Sequence, residues 1–470
     1  MWIRYVVLAC LTGILGLSPV RAQMADRVEV EAGATTTSGA TMPFWLHANT
    51  DGIVDPASSG GVLRGRVARS LRGRAGQTWA FGYGAEVVGR ASSRESLFLS
   101  ALYAEARYGI LRARVGRKPE TIGTVADSLT SGSMGTSRNA TPIPKILLRT
   151  DGYVDVPFTN EWLEFKGRFE HGWLSDDRFV DGAFLHQKSL YLRGGDSAST
   201  RVHAGLVHKA MWGGTDPDFG NIPQSFSEFT RVVRAGSGID DAPSADSLFI
   251  LGDHFGIIDF GTSVELDRFR AHAYHQVVFE DDNNLELENP KNGLTGIEVT
   301  DTRSRWWVDR LLYEYVFTKS QNGEEAAFNG NGSNYFNHSI YKSGWTLYGR
   351  MAASPLLTPF SQSSSRVGIA NNRVVGHHVG IGGNIGSLDY QTLVTYTRNF
   401  GTFRDRRRAE NRGVDYRFDP PLEQTSVLVE ARVPWPSVPR LEIKGAVGID
   451  TGELREDTIG LELSLAYQFR

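Results

Sequence analysis

The feature that most constrains the fold of this chain is an alternation of apolar and polar side chains at every second residue. It is clearest near the C-terminus, where one face is formed by large apolar side chains: Ile459, Leu461, Leu463, Leu465, Tyr467 and Phe469. Small or polar residues form the other face: Gly460, Glu462, Ser464, Ala466 and Gln468. Successive side chains of a strand point to opposite faces, so this pattern predicts a β-strand with one apolar and one polar face.

The same alternation recurs along the chain, in residues 441–449, 426–433, 388–396, 311–318 and 257–266. Small or acidic residues return on the second face, which favours a hydrated interior over a packed core. Strands of about 9–11 residues match a tilted crossing of a bilayer. The sequence therefore predicts an all-β protein, a transmembrane antiparallel β-barrel of about 16–18 strands. A soluble β-sandwich or β-helix is the alternative, although sandwich strands are shorter, about 5–6 residues.

The first residues indicate export. Met1 to Ala22 combines a positive residue, Arg4, an apolar run from Tyr5 to Leu17 and a small-x-small site that ends at Ala22, as in a secretory signal peptide. We expect residues 1–22 to be removed and residues 23–470 to form a single barrel domain in the bacterial outer membrane. The single cysteine excludes a disulfide scaffold, and the net charge of -3 argues against nucleic acid as a partner.

The lengths of the connections assign them to two sides. Counting back from the last strand, long and short connections alternate, and in outer-membrane barrels short turns are periplasmic, as are both termini. The long set, expected outside, is 399–424, 352–373, 319–334 and 281–292, with 450–457 the weakest case. The short set, expected in the periplasm, is 434–440, 386–387, 343–344, 301–307 and 267–268. Residues 128–145 and 211–238 are unlike strands and are expected to be external loops or segments inside the lumen, which would then be occluded.

Several ordered motifs occur across the chain: MPFWLHANTDG (42–52), GRKPE (116–120), SGSMGTSRNATPIPKI (131–146), HGWLSDDRFV (171–180), HQKSLYLR (186–193) and MWGG (211–214). Their order resembles that of Wzi-like capsule assembly proteins. The resemblance implies an occluded outer-membrane barrel that binds capsular or surface polysaccharide and helps to assemble or anchor it at the cell surface. Outer-membrane lipid and polysaccharide export machinery are the other partners it implies. Members of that family can carry an N-terminal helical bundle as a plug, whereas no amphipathic helix of that kind precedes Val62.

Polysaccharide recognition needs aromatic faces for sugar rings, and amide, hydroxyl or guanidinium groups for hydroxyls and carboxylates. The candidate residues of those types within or beside the motifs are Arg138, Asn139, His171, Trp173, His186, Lys188, Arg193 and Trp212. The alternative is that they form a lumenal network that holds a plug to the wall. A second set lies in a predicted external loop: Arg404, Arg406, Arg407, Arg408 and Arg412. These arginines could bind an acidic glycan, or they could simply be solvated.

The sequence offers less for catalysis, and we predict no enzyme activity, cofactor or metal. His377 and His378 are adjacent on a predicted strand and therefore point to opposite faces, as do His272 and His275, so neither pair shares a metal easily. No GxSxG or HExxH motif occurs. Two other functions stay open at this point: a porin or export channel for oligosaccharide, and a surface hydrolase.

Overall fold

The structure is a computed structural model, and the barrel wall is its main feature. It describes residues 25–57, 59–72, 78–92, 96–196, 199–236, 251–280, 289–303, 306–321, 334–361, 367–402 and 417–469. The expected signal peptide and its cleavage site lie outside the described residues. The wall strands are β1 Arg27–Thr37, β2 Gly60–Arg72, β3 Trp79–Ala91, β4 Ser96–Tyr108, β5 Leu111–Arg117, β6 Lys145–Thr150, β7 Leu163–Trp173, β8 Phe184–Asp196 and β9 Thr200–Trp212. They continue as β10 Asp253–Glu265, β11 Phe269–Phe279, β12 Gly293–Asp301, β13 Arg310–Phe317, β14 Val374–Ile385, β15 Leu388–Gly401, β16 Arg417–Pro434, β17 Leu441–Gly452 and β18 Thr458–Gln468.

The wall is a closed antiparallel barrel of 18 strands. Each strand pairs with its neighbour in the sequence, and β1 closes the barrel against β18 with Glu29 opposite Gln468 and Thr37 opposite Gly460. The two-residue strand Val154–Asp155 extends the pairing of β6 along β7. Closure leaves no unpaired strand edge, as a lipid environment requires. The prediction of a transmembrane barrel of about 16–18 strands is confirmed.

The two ends of the barrel differ in their connections. Because β1 begins beside the end of β18, both termini lie at one end, which we call the terminal end; the opposite end is the distal end. Terminal connections are short, as at 109–110, 266–268, 386–387 and 435–440. Distal connections include the four longest of the chain, 38–59, 118–144, 213–252 and 318–373. The predicted sorting therefore holds for the longest connections, whereas the distal connections 92–95 and 453–457 are short and the terminal connection 151–162 is longer than either.

One predicted turn is wrong. Residues 343–344 were expected to join two wall strands at the terminal end, but β13 ends at Phe317 and β14 begins at Val374. In its described residues, the intervening chain makes strands of two or three residues, such as Thr346–Leu347 with Arg350–Met351. Apolar side chains on both sides of the predicted turn are buried: Tyr335, Phe336, Ile340, Tyr341, Trp345 and Met351. A segment with this many buried aromatic and apolar side chains fills the interior instead of lining it.

The two faces of the wall follow the predicted alternation. In β18 the apolar set from Ile459 to Tyr467 is exposed on the outside, while Ser464 is buried inside. Apolar residues also occur on the inner face in some strands, for example Leu312 and Val316, which are fully buried. These positions are where loops pack against the wall from within.

Three distal segments fold inward and fill the distal half of the barrel; we call residues 38–57, 118–144 and 334–361 together the plug. Their apolar side chains form one buried cluster with inward residues of the wall, and the plug members include Met42, Phe44, Trp45, Leu46, Ile122, Leu129, Met134, Ile143, Tyr335, Phe336, Trp345, Met351 and Leu357. The expected occlusion of the lumen is thus achieved by loops. Within the described part of the chain the helices are α1, Phe44–His47, and α2, Phe226–Arg234, and neither has the length and apolar character of a membrane-spanning helix.

Candidate functional site

The plug is attached to the inner wall through buried polar side chains. The Glu314 carboxylate of β13 accepts hydrogen bonds from the Ser131 backbone N–H at 2.6 Å, the Ser131 hydroxyl at 2.5 Å and the Thr130 hydroxyl at 2.7 Å. The Tyr274 hydroxyl of β11 donates to the same carboxylate. A buried carboxylate without partners is costly, so four donors around Glu314 stabilise the seated position of this loop.

Three further wall residues bind the same plug segment. Asp259 of β10 accepts from the Thr124 N–H at 2.6 Å, and Gln276 of β11 accepts from the Met134 N–H at 2.9 Å. His378 of β14 donates through Nε2 to the Leu129 carbonyl at 2.6 Å. These contacts link the segment 118–144 to β10, β11, β13 and β14 across the lumen.

The plug segments also bind one another. Arg138 donates to Asp51 through both Nε, at 3.1 Å to Oδ1, and Nη2. Burial raises the pKa of the Asp51 carboxyl, and the hydrogen bond to Asp51 raises the pKa of the Arg138 guanidinium. The Asn139 amide donates to the Met351 carbonyl at 3.0 Å. These contacts join residues 38–57, 118–144 and 334–361 into one unit.

The short helix α1 fits against two wall strands that carry glycine. The Phe44 N–H donates to Asp450 at 2.9 Å, and Trp45 Nε1 donates to Thr395 at 3.1 Å. A Cβ atom on Gly448 would lie 2.8 Å from Leu46 Cγ and 2.9 Å from a carbon of Pro43. The absence of a side chain at Gly448 lets α1 approach the wall this closely.

Two groups of contacting aromatic and polar side chains lie at the distal face of the plug. We call Ser175, Phe179, Asp218, Lys342 and Tyr348 the rim patch. The Ser175 hydroxyl and the Tyr348 hydroxyl are 3.2 Å apart, and Lys342 Nζ is 2.6 Å from the Asp218 carboxylate. The same ammonium lies 4.1 Å from the centre of the Phe179 ring. Three connections that are far apart in sequence thus present one surface.

Buried contacts below the rim patch position its loops. The guanidinium of Arg178 donates to the Gly344 carbonyl at 3.2 Å and pairs with Asp176 at 3.4 Å, and burial lowers its pKa. Asp176 also accepts from the Tyr348 N–H at 3.0 Å, and Ser343 accepts from the Phe179 N–H at 2.8 Å. The patch therefore rests on hydrogen-bonded loops, which favours a preformed surface.

Below the plug, the lumen contains a polar cavity of about 280 Å³. Wall side chains of both charges line it, among them Glu31, Arg64, Glu430 and Lys444. Arg64 pairs with Glu31 at 2.9 Å, and Lys444 lies 3.6 Å from Glu430, so the charges are largely matched within the wall. The guanidinium of Arg138 reaches this cavity from the plug. This cavity makes the terminal half of the lumen hydrated, as the acidic and small residues of the inner face predict.

The candidates predicted from sequence lie in three different places. Arg138 and Asn139 are in the plug. Arg193 is on the inner wall, where it pairs with Glu164 at 2.8 Å and stacks 3.8 Å from the Tyr153 ring centre. The other five lie on the outer face of β7, β8 and β9, close together at the distal end: His171, Trp173, His186, Lys188 and Trp212. The five predicted loop arginines, Arg404, Arg406, Arg407, Arg408 and Arg412, lie outside the described residues.

Helix α2 covers four of the outward five, and Trp173 stays 40% exposed. Phe229 of the helix contacts the rings of His171, His186 and Trp212 at centroid distances of 5.6–5.7 Å. Lys188 Nζ donates to the Val233 carbonyl in the last turn of the helix. The sequence carried a signal for this location, because His186 and Lys188 share the parity of Leu190 and Leu192, which are exposed on the lipid-facing side.

The sequence analysis missed the rim patch. Ser175 and Phe179 lie within a quoted motif, HGWLSDDRFV, but Asp218, Lys342 and Tyr348 come from segments without a distinctive pattern. Only the folding of three loops brings them together, so no spacing in the sequence marks them. Histidine parity was predicted correctly: His378 points inward to Leu129, and the outward His377 contacts the Tyr313 hydroxyl at 2.8 Å. Within the described ranges, no three His, Cys, Asp or Glu residues are placed to hold a metal ion.

Comparison with known proteins assigns this architecture. A family model described as "Capsule assembly protein Wzi" matches residues 54–363. Wzi of Escherichia coli, described as an outer membrane protein involved in group 1 capsule assembly and a carbohydrate-binding β-barrel, has a similar fold with a TM-score of 0.59. The match covers 98% of this chain and 87% of that one at 14% identity. Pseudomonas aeruginosa OccK5 (OpdH) aligns over 94% of this chain and 96% of its own at 10% identity, with a TM-score of 0.48. No curated protein matches the chain.

Proposed function

Because the chain belongs to the capsule assembly protein Wzi family, we propose that this outer-membrane barrel binds a capsular or surface polysaccharide at the rim patch and anchors it to the cell. The observation that carries the proposal is the rim patch itself, in which Phe179 and Tyr348 lie beside Lys342, Asp218 and Ser175. Aromatic faces suit the apolar faces of sugar rings, and hydroxyl, ammonium and carboxylate groups suit their hydroxyls.

The exposed groups of the patch define what it can recognise. Tyr348 is 37% exposed, so its ring is available to a ligand from the distal side. Lys342 offers three donors and a positive charge, which favours a glycan with carboxylate or hydroxyl acceptors. Because the supporting loops are hydrogen-bonded through Arg178 and Asp176, binding costs little ordering of the protein.

The plug favours binding over passage. An open channel needs a continuous hydrated lumen, whereas here a buried apolar cluster that includes Trp45, Leu129 and Phe336 crosses the distal half. The porin or export-channel alternative therefore has less support than a surface-binding role. We take the distal end to face the outside of the cell, because the terminal end carries the short turns and both termini.

The loop arginines that the sequence singled out, such as Arg404 and Arg412, follow β15 at the distal end of the wall. They stay in the proposal as further contacts to an acidic glycan. Arg138 is the plug candidate whose side chain is half-exposed, and it reaches the cavity below. Export machinery remains a proposed partner for the terminal end.

The experiment is a direct binding measurement. The barrel is purified in detergent and immobilised, and the capsular polysaccharide of its own strain is passed over it. We expect Tyr348→Ala and Lys342→Ala each to weaken binding about tenfold, which corresponds to about 1.4 kcal/mol. Tyr467→Ala is the matched control, because this tyrosine is 36% exposed at the terminal end. Equal affinities for the wild type and both patch variants would overturn the assignment of the patch.

A further inference from the structure

Helix α2 is on the outside of the barrel, where the wall meets lipid. Its inner face packs on outward wall residues, with Val232, Ala210, Trp212 and Leu251 forming a buried cluster that Phe229 joins. The outward direction of the wall residues follows from strand parity: His186 alternates with the exposed Leu190, and Trp212 with the exposed Leu206. A helix here lies above the lipid-facing band of β7, β8 and β9.

The position along the strands places α2 at the distal edge of that band. Its contacts are with the last residues of β7 and β9 and the first residues of β8, such as His171, Trp212 and His186. The exposed leucines of β8 begin at Leu190, closer to the middle of the strand. In an outer-membrane barrel this edge coincides with the level of the lipid headgroups.

The outward face of α2, which points away from the wall, combines cations with an aromatic side chain. Phe226 at its first turn is 79% exposed, and the side chain of Arg231 is 41% exposed. Arg234 is also exposed. The acid of the helix, Glu228, is buried and hydrogen-bonded to Ser225, and its carboxylate lies 3.9 Å from Arg231 Nε, so the Arg231 guanidinium is paired on its inner side and exposed on its outer side. A positive face with an exposed aromatic residue is typical of helices that lie in a membrane interface.

The helix is held firmly enough to present these groups. Ser225 caps its start by accepting from the Glu228 N–H at 3.4 Å, and Ala235 ends it in the left-handed conformation. Lys188 of the wall donates to the Val233 carbonyl, so a third cation lies beside the last turn. Basic residues in a last turn also favour the helix itself. Stabilisation of the helix can therefore explain the positions of Arg231 and Arg234, but it does not explain why Phe226 is exposed at the other end.

We propose that α2, through Arg231, Arg234 and Lys188, binds the phosphorylated headgroup of an outer-leaflet glycolipid while Phe226 enters the upper acyl layer. The occupant follows from two features: charge complementarity between these cations and phosphate, and continuity of the site with the lipid-facing wall. A lipid bound at this site would hold the distal end of the barrel in the outer leaflet, with the rim patch facing out of the cell. The proposal shares the orientation assumed under "Proposed function", but the following test in detergent does not depend on it.

The probe is lipid A, in its diphosphorylated form and in a fully dephosphorylated form. The detergent-solubilised barrel is titrated with each lipid, and retained lipid is counted by native mass spectrometry. We expect the wild type to retain the diphosphorylated lipid about 30-fold more strongly, since the two exposed arginines each contribute about fivefold near an anionic surface and Lys188, which already donates to the Val233 carbonyl, adds little. Equal retention of the two lipids by the wild-type barrel would overturn the proposal without any variant.

Variants locate the site. Arg231→Gln combined with Arg234→Gln should lower retention of the diphosphorylated lipid to near that of the dephosphorylated one. Arg398→Gln is the matched control, because Arg398 is an outward cation of β15, 48% exposed. Hydrogen exchange over residues 226–234 checks that the double variant keeps the helix. Loss of retention in Arg398→Gln to the same extent would assign the effect to general surface charge and contradict the proposal.

Discussion

The Glu314 carboxylate of the wall and the backbone N–H of Ser131 in the plug are joined by a hydrogen bond of 2.6 Å inside the barrel. Both residues are fully buried. The contact connects two parts of the chain that are remote in sequence, and it shows how a lumen wide enough for a channel is closed by loops. Closure therefore depends on a small number of buried polar contacts, and it can be tested at each of them.

Replacing Glu314 should loosen the plug. In Glu314→Ala the N–H and hydroxyl donors of Thr130, Ser131 and Tyr274 lose their acceptor, which costs about 1–3 kcal/mol for each unsatisfied buried group. We expect steady closure of the wild type in planar bilayers and intermittent conductance steps in the variant. Glu164→Ala is the control, because this carboxylate pairs with Arg193 and does not contact the plug. If the variant conducted no more than the wild type, Glu314 would not hold the plug.

The close approach of α1 to the wall predicts a difference between two glycines of β17. In Gly448→Ala the new Cβ would lie 2.8 Å from Leu46, whereas around Gly445 there is nothing within 4 Å. Overpacking of this kind costs about 1–3 kcal/mol. We expect Gly448→Ala to lower the urea midpoint of the vesicle-inserted barrel and Gly445→Ala to leave it almost unchanged. Identical midpoints would contradict the packing of α1 against this strand.

The outer face of β18 predicts sensitivity to charge. Leu463 is near the middle of the strand and 59% exposed on the lipid-facing side. Arginine at the bilayer midplane of a barrel costs about 2–4 kcal/mol. Leu463→Arg should therefore reduce the free energy of unfolding from vesicles by about that amount, and Leu463→Ala by clearly less. If arginine and alanine proved equivalent, this face would not be in contact with lipid.

The plug should weaken in acid through His338. Burial lowers the pKa of this imidazole to about 4. Its Nδ1 accepts from the N–H groups of Ile340 and Tyr341 at 3.2 and 3.3 Å, which requires the neutral ring. As the pH falls, the imidazole of the unfolded chain, with a pKa near 6.5, takes up a proton before that of the folded protein does. The contribution of His338 to the free energy of unfolding is therefore complete above about pH 6.5 and is lost as the pH falls towards about 4. The loss is at most about 3 kcal/mol.

The variant His338→Asn isolates this effect, because its side-chain oxygen can accept the same N–H groups and does not titrate. Urea midpoints of both proteins are compared at pH 8, 6.5 and 4.5. We expect the wild type to lose more stability than the variant between pH 6.5 and 4.5. Parallel curves would show that His338 does not contribute to acid sensitivity.

Sequence predicted the wall well because alternation is a local property of each strand. The outward set from Ile459 to Tyr467 and the inward Glu314, Asp259 and Glu430 are all where their parity puts them. The same reasoning erred at 343–344, where a turn-like Ser-Gly pair lies between buried aromatic residues of the plug. Turn residues mark a reversal of the chain, but not whether the flanking residues join the wall.

The candidate site could not be predicted to the same extent. Lys342 meets Asp218 and Phe179, and Tyr348 meets Ser175, only because three distal connections fold together, and pairing between loops leaves no periodic signal. The outward location of His186 and Lys188 could be predicted from their parity with Leu190 and Leu192. Helix α2, which covers them, could not be predicted, since a nine-residue helix gives too short a helical repeat of apolar residues. The motifs that carry the family resemblance include Ser175 and Phe179 of the rim patch, but not Asp218, Lys342 or Tyr348.

The central claim is that this barrel retains polysaccharide at the cell surface through its rim patch. The most direct measurement is the ratio of cell-bound to released capsular polysaccharide in a strain that lacks the gene, complemented with the wild type or with Lys342→Ala combined with Tyr348→Ala. We predict unchanged total polysaccharide, release into the medium in the deletion strain, and rescue by the wild type but not by the double variant. Polysaccharide that stays on the cells in the absence of the protein would contradict the account.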